Sequence, residues 1–141
     1  MLNKHILQVT IFLLFFNYLY LSMKKNKNAF EKYITYILGI DFILGVYFWN
    51  DPIKGSIQHI LDANAVKVSG VIFLIYYMFY KNDFNKLDNC IFIVLSTISI
   101  ILSCLSHYYS TILNQWGSFN HYLYHILLHI FANLTIFYLI K

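Results

Sequence analysis

The chain has 141 residues, of which 60% are hydrophobic and 11% charged, with a formal net charge of +4; its mean hydropathy is +0.60. A water-soluble domain carries roughly a quarter of its residues as charges to cover its surface. This composition excludes such a domain and assigns the chain to a lipid bilayer, with the positive charge read as a topology signal and not as nucleic-acid affinity.

In chain order, apolar runs predict five spans: Ile6 to Met23, Tyr33 to Trp49, Ala65 to Tyr80, Cys90 to Ser106 and His121 to Ile140. Each approaches the ~20 residues that cross a hydrocarbon core, the second and third being short. The first run lacks a small-x-small cleavage site and is followed by Lys24, Lys25 and Lys27, which reads as a retained span and not a secretory signal. Pro52, just after Asn50 and Asp51, cannot continue a helix and ends the second one. The connecting segments Lys24 to Lys32, Asn50 to Asn64, Lys81 to Asn89 and His107 to Asn120 are short and polar, too short for a soluble domain, and no internal repeat is apparent. The expected fold is an all-α, polytopic membrane bundle of about five transmembrane helices, a single domain over residues 1–141.

Orientation follows from the lysines. Lys24, Lys25, Lys27, Lys32, Lys81, Lys86 and Lys141 fall on one side, and Lys4, Lys54 and Lys67 on the other. The excess places the C-terminus in the cytosol. All the histidines, His5, His59, His107, His121, His125 and His129, then belong to the non-cytosolic half.

Ionisable groups at depth are costly in lipid and usually functional. His121, His125 and His129 recur every fourth residue, so they stack along one stripe of the fifth helix. Two imidazoles at that spacing can hold one metal ion, with a third ligand from elsewhere. His59 is the candidate third ligand and His107 the alternative; Asp62, three residues after His59, and Ser56 are the candidates to hold or activate a bound water. A zinc ion with an open position would supply a hydroxide nucleophile for amide or ester cleavage. Asp41 lies ~12 Å inside the second span, level with His129, and is expected to pair with it or to orient a ligand histidine. The alternative is that the stacked histidines hydrogen-bond between helices without metal.

The segment His121-Tyr-Leu-Tyr-His125 and the pair Leu61-Asp62 ahead of an apolar run resemble the final helix and the third-helix aspartate of the ceramidase and progestin/adiponectin-receptor-like superfamily of membrane hydrolases. The resemblance covers about a third of the chain. It implies a zinc-dependent hydrolase acting on a lipid amide or ester, with His121 and His125 as ligands and Asp62 near the water. That superfamily has seven spans, and its Ser-x-x-x-His motif lies at the end of the second helix. Here Ser56-Ile-Gln-His59 has a different spacing, and Ser103-Cys-Leu-Ser-His107 stands after the fourth span.

Two function classes are therefore open. One is a zinc-dependent lipid hydrolase; the other is a non-enzymatic small bundle serving structure, assembly, or ion or proton handling. The bilayer is the expected partner, a lipid the expected substrate of the first class, and nucleic acid is not expected. The 13 tyrosines and 13 phenylalanines, with Trp49 and Trp116, read as lipid-facing bulk and interfacial belts. Cys90 and Cys104 lie ~21 Å apart along one helix, too far for a disulfide.

Overall fold

The computed structural model describes residues 4–81 and 84–141. Residues 82 and 83, within the segment read as a polar loop, lie outside the described residues. The architecture is an all-α bundle: α1 (Lys4–Met23), α2 (Ala29–Asn50), α3 (Ile57–Phe79), α4 (Lys86–His107) and α5 (Phe119–Ile140), with a π-helical turn at Tyr108–Ile112 extending α4. Among the described residues there is no strand. Four of the five helices are long and apolar enough to cross a membrane, and α2, of 22 residues, carries Glu31, Lys32 and Asp41. The fold is that of a multi-pass helical membrane protein.

Short side chains set the helix starts. Asn28, Ser56, Asn85 and Ser118 each accept a hydrogen bond from the backbone N–H three residues on, satisfying a donor that a helix N-terminus leaves orphaned. Ser56 therefore starts α3 at Ile57, eight residues before the apolar run expected from Ala65. Lys67, counted with the non-cytosolic lysines at the start of the expected Ala65 to Tyr80 span, lies within this helix and is exposed. The capping signal at Ser56 was concealed by the low hydropathy of the first turns of α3.

α1 sits between α2 and α5; α3 lies along α2, and α4 along α5. The lysine-bearing end closes around Leu21, Ile34, Leu38, Tyr76, Phe92, Leu139 and Ile140, drawn from all five helices. There α3 meets α4: Tyr77 stacks on Phe92 at 4.3 Å and donates its hydroxyl proton to Asn89 at 2.9 Å. The opposite end closes around Leu7, Ile11, Phe48, Trp49 and Ile126. Gly39 and Gly45 give α2 its close approaches, as their place beside Asp41 suggests: a Cβ on Gly39 would meet the Tyr18 ring at 3.4 Å, and one on Gly45 would meet Ile11 and the Asp62 carboxylate at 3.5 and 3.6 Å. Cys90 and Cys104 are both free and exposed.

Glu31, 3% exposed, is the polar tie of the lysine-bearing end. Its carboxylate accepts from Lys24 Nζ at 2.7 Å, from the Tyr76 hydroxyl at 3.0 Å and from the Asn28 N–H at 2.9 Å. Lys24 also reaches the Ile140 carbonyl at 3.4 Å, so α1, α2, α3 and α5 converge on one carboxylate. Burial works to raise its pKa, but the bonds from Lys24, Asn28 and Tyr76 and the charge of Lys24 together hold it below the ordinary 4.5. A depressed carboxylate pKa gives stability that is present above the unfolded-state value and is lost as pH falls through the folded-state value. Glu31→Gln is therefore expected to lower stability in detergent by ~2 kcal/mol near neutrality. The gap to wild type should close as pH drops below 4.5, as read by circular dichroism melting.

Candidate functional site

The i+4 spacing does place the three histidines on one inward stripe of α5. The ring centroids of His121 and His125 are 5.7 Å apart, and those of His125 and His129 are 4.9 Å apart. Each ring is held through its Nδ1. Gly117 N–H donates to His121 Nδ1 at 3.1 Å, Ser106 Oγ of α4 lies 2.9 Å from His125 Nδ1, and Thr10 Oγ1 of α1 lies 2.9 Å from His129 Nδ1. α5 is thereby bonded to α1 on one side and to α4 on the other.

These partners fix the neutral tautomers. His121 Nδ1 accepts a hydrogen bond, so its proton sits on Nε2. The Thr10 hydroxyl already donates to the Leu7 carbonyl at 2.8 Å, so it accepts from His129, whose proton sits on Nδ1. Ser106 can donate to His125 or accept from it, which leaves the middle ring competent in either tautomer.

The polar stripe continues one turn beyond the histidines. Asn17 Nδ2 donates to the Asn133 carbonyl at 2.9 Å and to its side-chain oxygen at 3.0 Å. Sequence reasoning missed Thr10, Asn17, Ser106 and Asn133. The i+4 spacing reaching Asn133 was the available signal, whereas the α1 and α4 partners depend on packing. Trp49 and Trp116 also need correcting: they do not form an interfacial belt. Trp49 is 1% exposed and lies 4.8 Å from the His125 ring and 6.2 Å from His129. Trp116 lies 4.6 Å from His121 and 5.2 Å from His59.

His59 thus comes to the mouth of the column, against Phe48 at 5.2 Å and Trp116. It does so through the same local device as His121. Gly55 at φ 80° and Gly117 at φ 78° each precede a capping serine. Each glycine N–H donates to the Nδ1 of the histidine four residues on, at 3.1 Å in both cases. The preceding helices repeat as well: Asn28 and Asn85 cap α2 and α4, and the acidic residues three positions on bind lysines, Glu31 to Lys24 and Asp88 to Lys141, each at 2.7 Å. The hairpins α2–α3 and α4–α5 are built on one plan, a repeat that sequence inspection overlooked because only the caps carry it.

The remaining candidates lie elsewhere. Asp41 does not pair with His129; it is buried, with the Ser69 hydroxyl of α3 beside its carboxyl group. Asp62 faces Gly45 and interacts electrostatically with Asp41. Ser56 Oγ accepts from the His59 N–H at 3.2 Å as a helix cap. His107 and His5 are exposed, and His5 bonds to Gln8 at 2.9 Å. Among the described residues no three His, Cys, Asp or Glu side chains are grouped so as to hold a metal ion. The expected set of His59, His121 and His125 is not grouped as the ligands of one zinc ion.

Searches of protein-family models, curated proteins and solved structures found no match to this chain.

A side chain that bridges helices in a bilayer contributes ~0.6 kcal/mol on average and up to ~1.7. Thr10→Val orphans the His129 Nδ1–H and should cost toward the upper figure. Ser106→Ala should cost less, because His125 can change tautomer. The difference is read from urea or thermal unfolding of the two variants in the same detergent.

Proposed function

We propose that this chain is a non-enzymatic, proton-handling membrane protein whose working element is the histidine column of α5, with His59 at its mouth. The observation that carries this reading is the stacking of three imidazoles at 5.7 and 4.9 Å with each Nδ1 anchored. The anchoring gives the column a direction. His59 and His121 carry their proton on Nε2 and are donors there. His129 carries its proton on Nδ1, so its Nε2 lone pair takes up a proton without breaking the bond to Thr10. His125, free to exchange tautomers against Ser106, is the ring through which donor and acceptor ends communicate.

Electrostatics limits the load. Two imidazolium charges 4.9 Å apart repel by about 3 kcal/mol at an effective dielectric of ~20. The Trp49 and Trp116 rings, 4.8 Å from His125 and 4.6 Å from His121, return at most about 0.5–2 kcal/mol each to a charged ring. Repulsion wins over stabilisation for a second neighbouring charge, so the column carries a single added proton, taken up at the lone pairs of His129 and His125. A structural role alone would need the hydrogen bonds but not a middle ring left able to reverse its polarity.

The test is proton movement into liposomes that contain the purified chain and an internal pH-sensitive dye, under an imposed pH gradient. The expected flux exceeds that of protein-free vesicles and falls at least tenfold for His125→Phe, which preserves ring volume. Flux equal to protein-free vesicles, or unchanged in that variant, would remove the proposal.

A further inference from the structure

The asparagine pair that extends the polar stripe has one atom left over. Asn17 is 5% exposed and precedes Met23, the last residue of α1, by ~9 Å of helical rise. Its Nδ2 donates to the Asn133 carbonyl at 2.9 Å and to Asn133 Oδ1 at 3.0 Å, while Asn133 Nδ2 donates to the His129 carbonyl at 2.7 Å. Two acceptors in front of it fix the orientation of the Asn17 amide. Its Oδ1 is therefore turned away from Asn133, and among the described residues no N–H or O–H donates to it.

Asn17 also borders a cavity of about 240 Å³ between α1 and α5, walled by Leu13, Phe16, Ile130, Leu134 and Phe137. With Nδ2 spent on Asn133, Oδ1 is the polar group that Asn17 has to offer there. The cavity opens on the outside of the bundle, since Phe16, Leu134 and Phe137 are 64%, 43% and 40% exposed. Its occupant comes from the bilayer.

The orphan oxygen selects among lipids. At this depth it has no water to turn to, so the occupant must bring a donor. A phosphatidylcholine does not: its acyl chains carry no polar group and its ester oxygens only accept. An ammonium is too costly to hold inside the hydrocarbon region without a counter-charge, and among the described residues the lining holds no carboxylate. What fits is an uncharged hydroxyl on an apolar body. With the hydroxyl on Asn17, that body runs past Phe16, Leu13 and Ile130 toward the middle of the bilayer. Phe137, packed on Tyr20 at 5.4 Å, closes the lysine-bearing side.

We infer that the α1–α5 cavity binds a lipid alcohol, whose hydroxyl donates to Asn17 Oδ1. To test this, the full chain in phosphatidylcholine nanodiscs is photolabelled with a tetradecanol that carries a diazirine along its chain. Modified peptides are mapped by mass spectrometry, and the native mass of the disc counts the chains. Label is expected on residues 13–17 and 130–137. Unlabelled tetradecanol should displace it at a concentration roughly tenfold below that of its methyl ether, which keeps the body but lacks the donor; tenfold is the worth of one hydrogen bond.

Leu134→Trp fills the cavity and spares the Asn17–Asn133 bonds, and it is expected to remove most of the label. Asn17→Leu, checked for folding by its melting, should be displaced equally by alcohol and ether. Equal displacement of wild type by the two competitors, label unchanged in Leu134→Trp, or no label on these segments would overturn the inference. Absence of label in discs that hold two chains would give the cavity to a second copy instead.

Discussion

In a bilayer a polar side chain has no water to turn to, so it must find its partner on another helix. α5 carries such groups at four successive turns, His121, His125, His129 and Asn133, and the rest of the bundle is arranged to meet them. Thr10 and Asn17 bring α1 to one flank, Ser106 brings α4 to the other, and the loop glycine Gly117 caps the top. α2 then packs on α1, and α3 on α2, with Glu31 gathering the far ends. The column is therefore both the structural seam of the bundle and the element with chemistry to offer.

The structural role and the proposed proton-handling role place opposite demands on the same atoms. A seam needs each ring fixed, and the Nδ1 bonds do this. A proton carrier needs a ring nitrogen left able to change state: His129, donating at Nδ1, keeps its Nε2 lone pair for this, and His125 can exchange tautomers against Ser106, whereas His121, accepting at Nδ1, is held as an Nε2 donor. The asymmetry between His121, which accepts at Nδ1, and His129, which donates there, comes from what anchors each ring: a backbone N–H in one case and an already committed hydroxyl in the other. The burial of Trp49 against His125 and His129 follows from the same geometry, since the indole of α2 fills the space beside the column.

Much of the fold was legible because hydrophobic length and lysine placement report directly on spans and ends. Five helices, the break at Pro52, the single stripe of His121, His125 and His129 and the tight approaches at Gly39 and Gly45 all follow from local pattern. The start of α3 did not, because Gln58, His59, Asp62 and Asn64 lower its hydropathy although Ser56 caps it. The partners of the site were illegible for a different reason. Whether His129 meets Asp41 or Thr10 depends on which helix lies beside α5, and depth alone, which made Asp41 attractive, cannot choose between neighbours. The repeated Gly-Ser-x-x-His caps were present in the sequence, but their meaning appears only when both histidines are seen against Trp116.

The account rests most directly on the proton positions in the column, which nitrogen-15 solid-state NMR of histidine-labelled protein in lipid bilayers reads ring by ring. It predicts Nε2-protonated His59 and His121, Nδ1-protonated His129, both tautomers at His125, and uptake of one proton by the column as the bilayer is acidified. Three column rings with the tautomer mixture of free imidazole in water, each taking up its own proton independently, would contradict it.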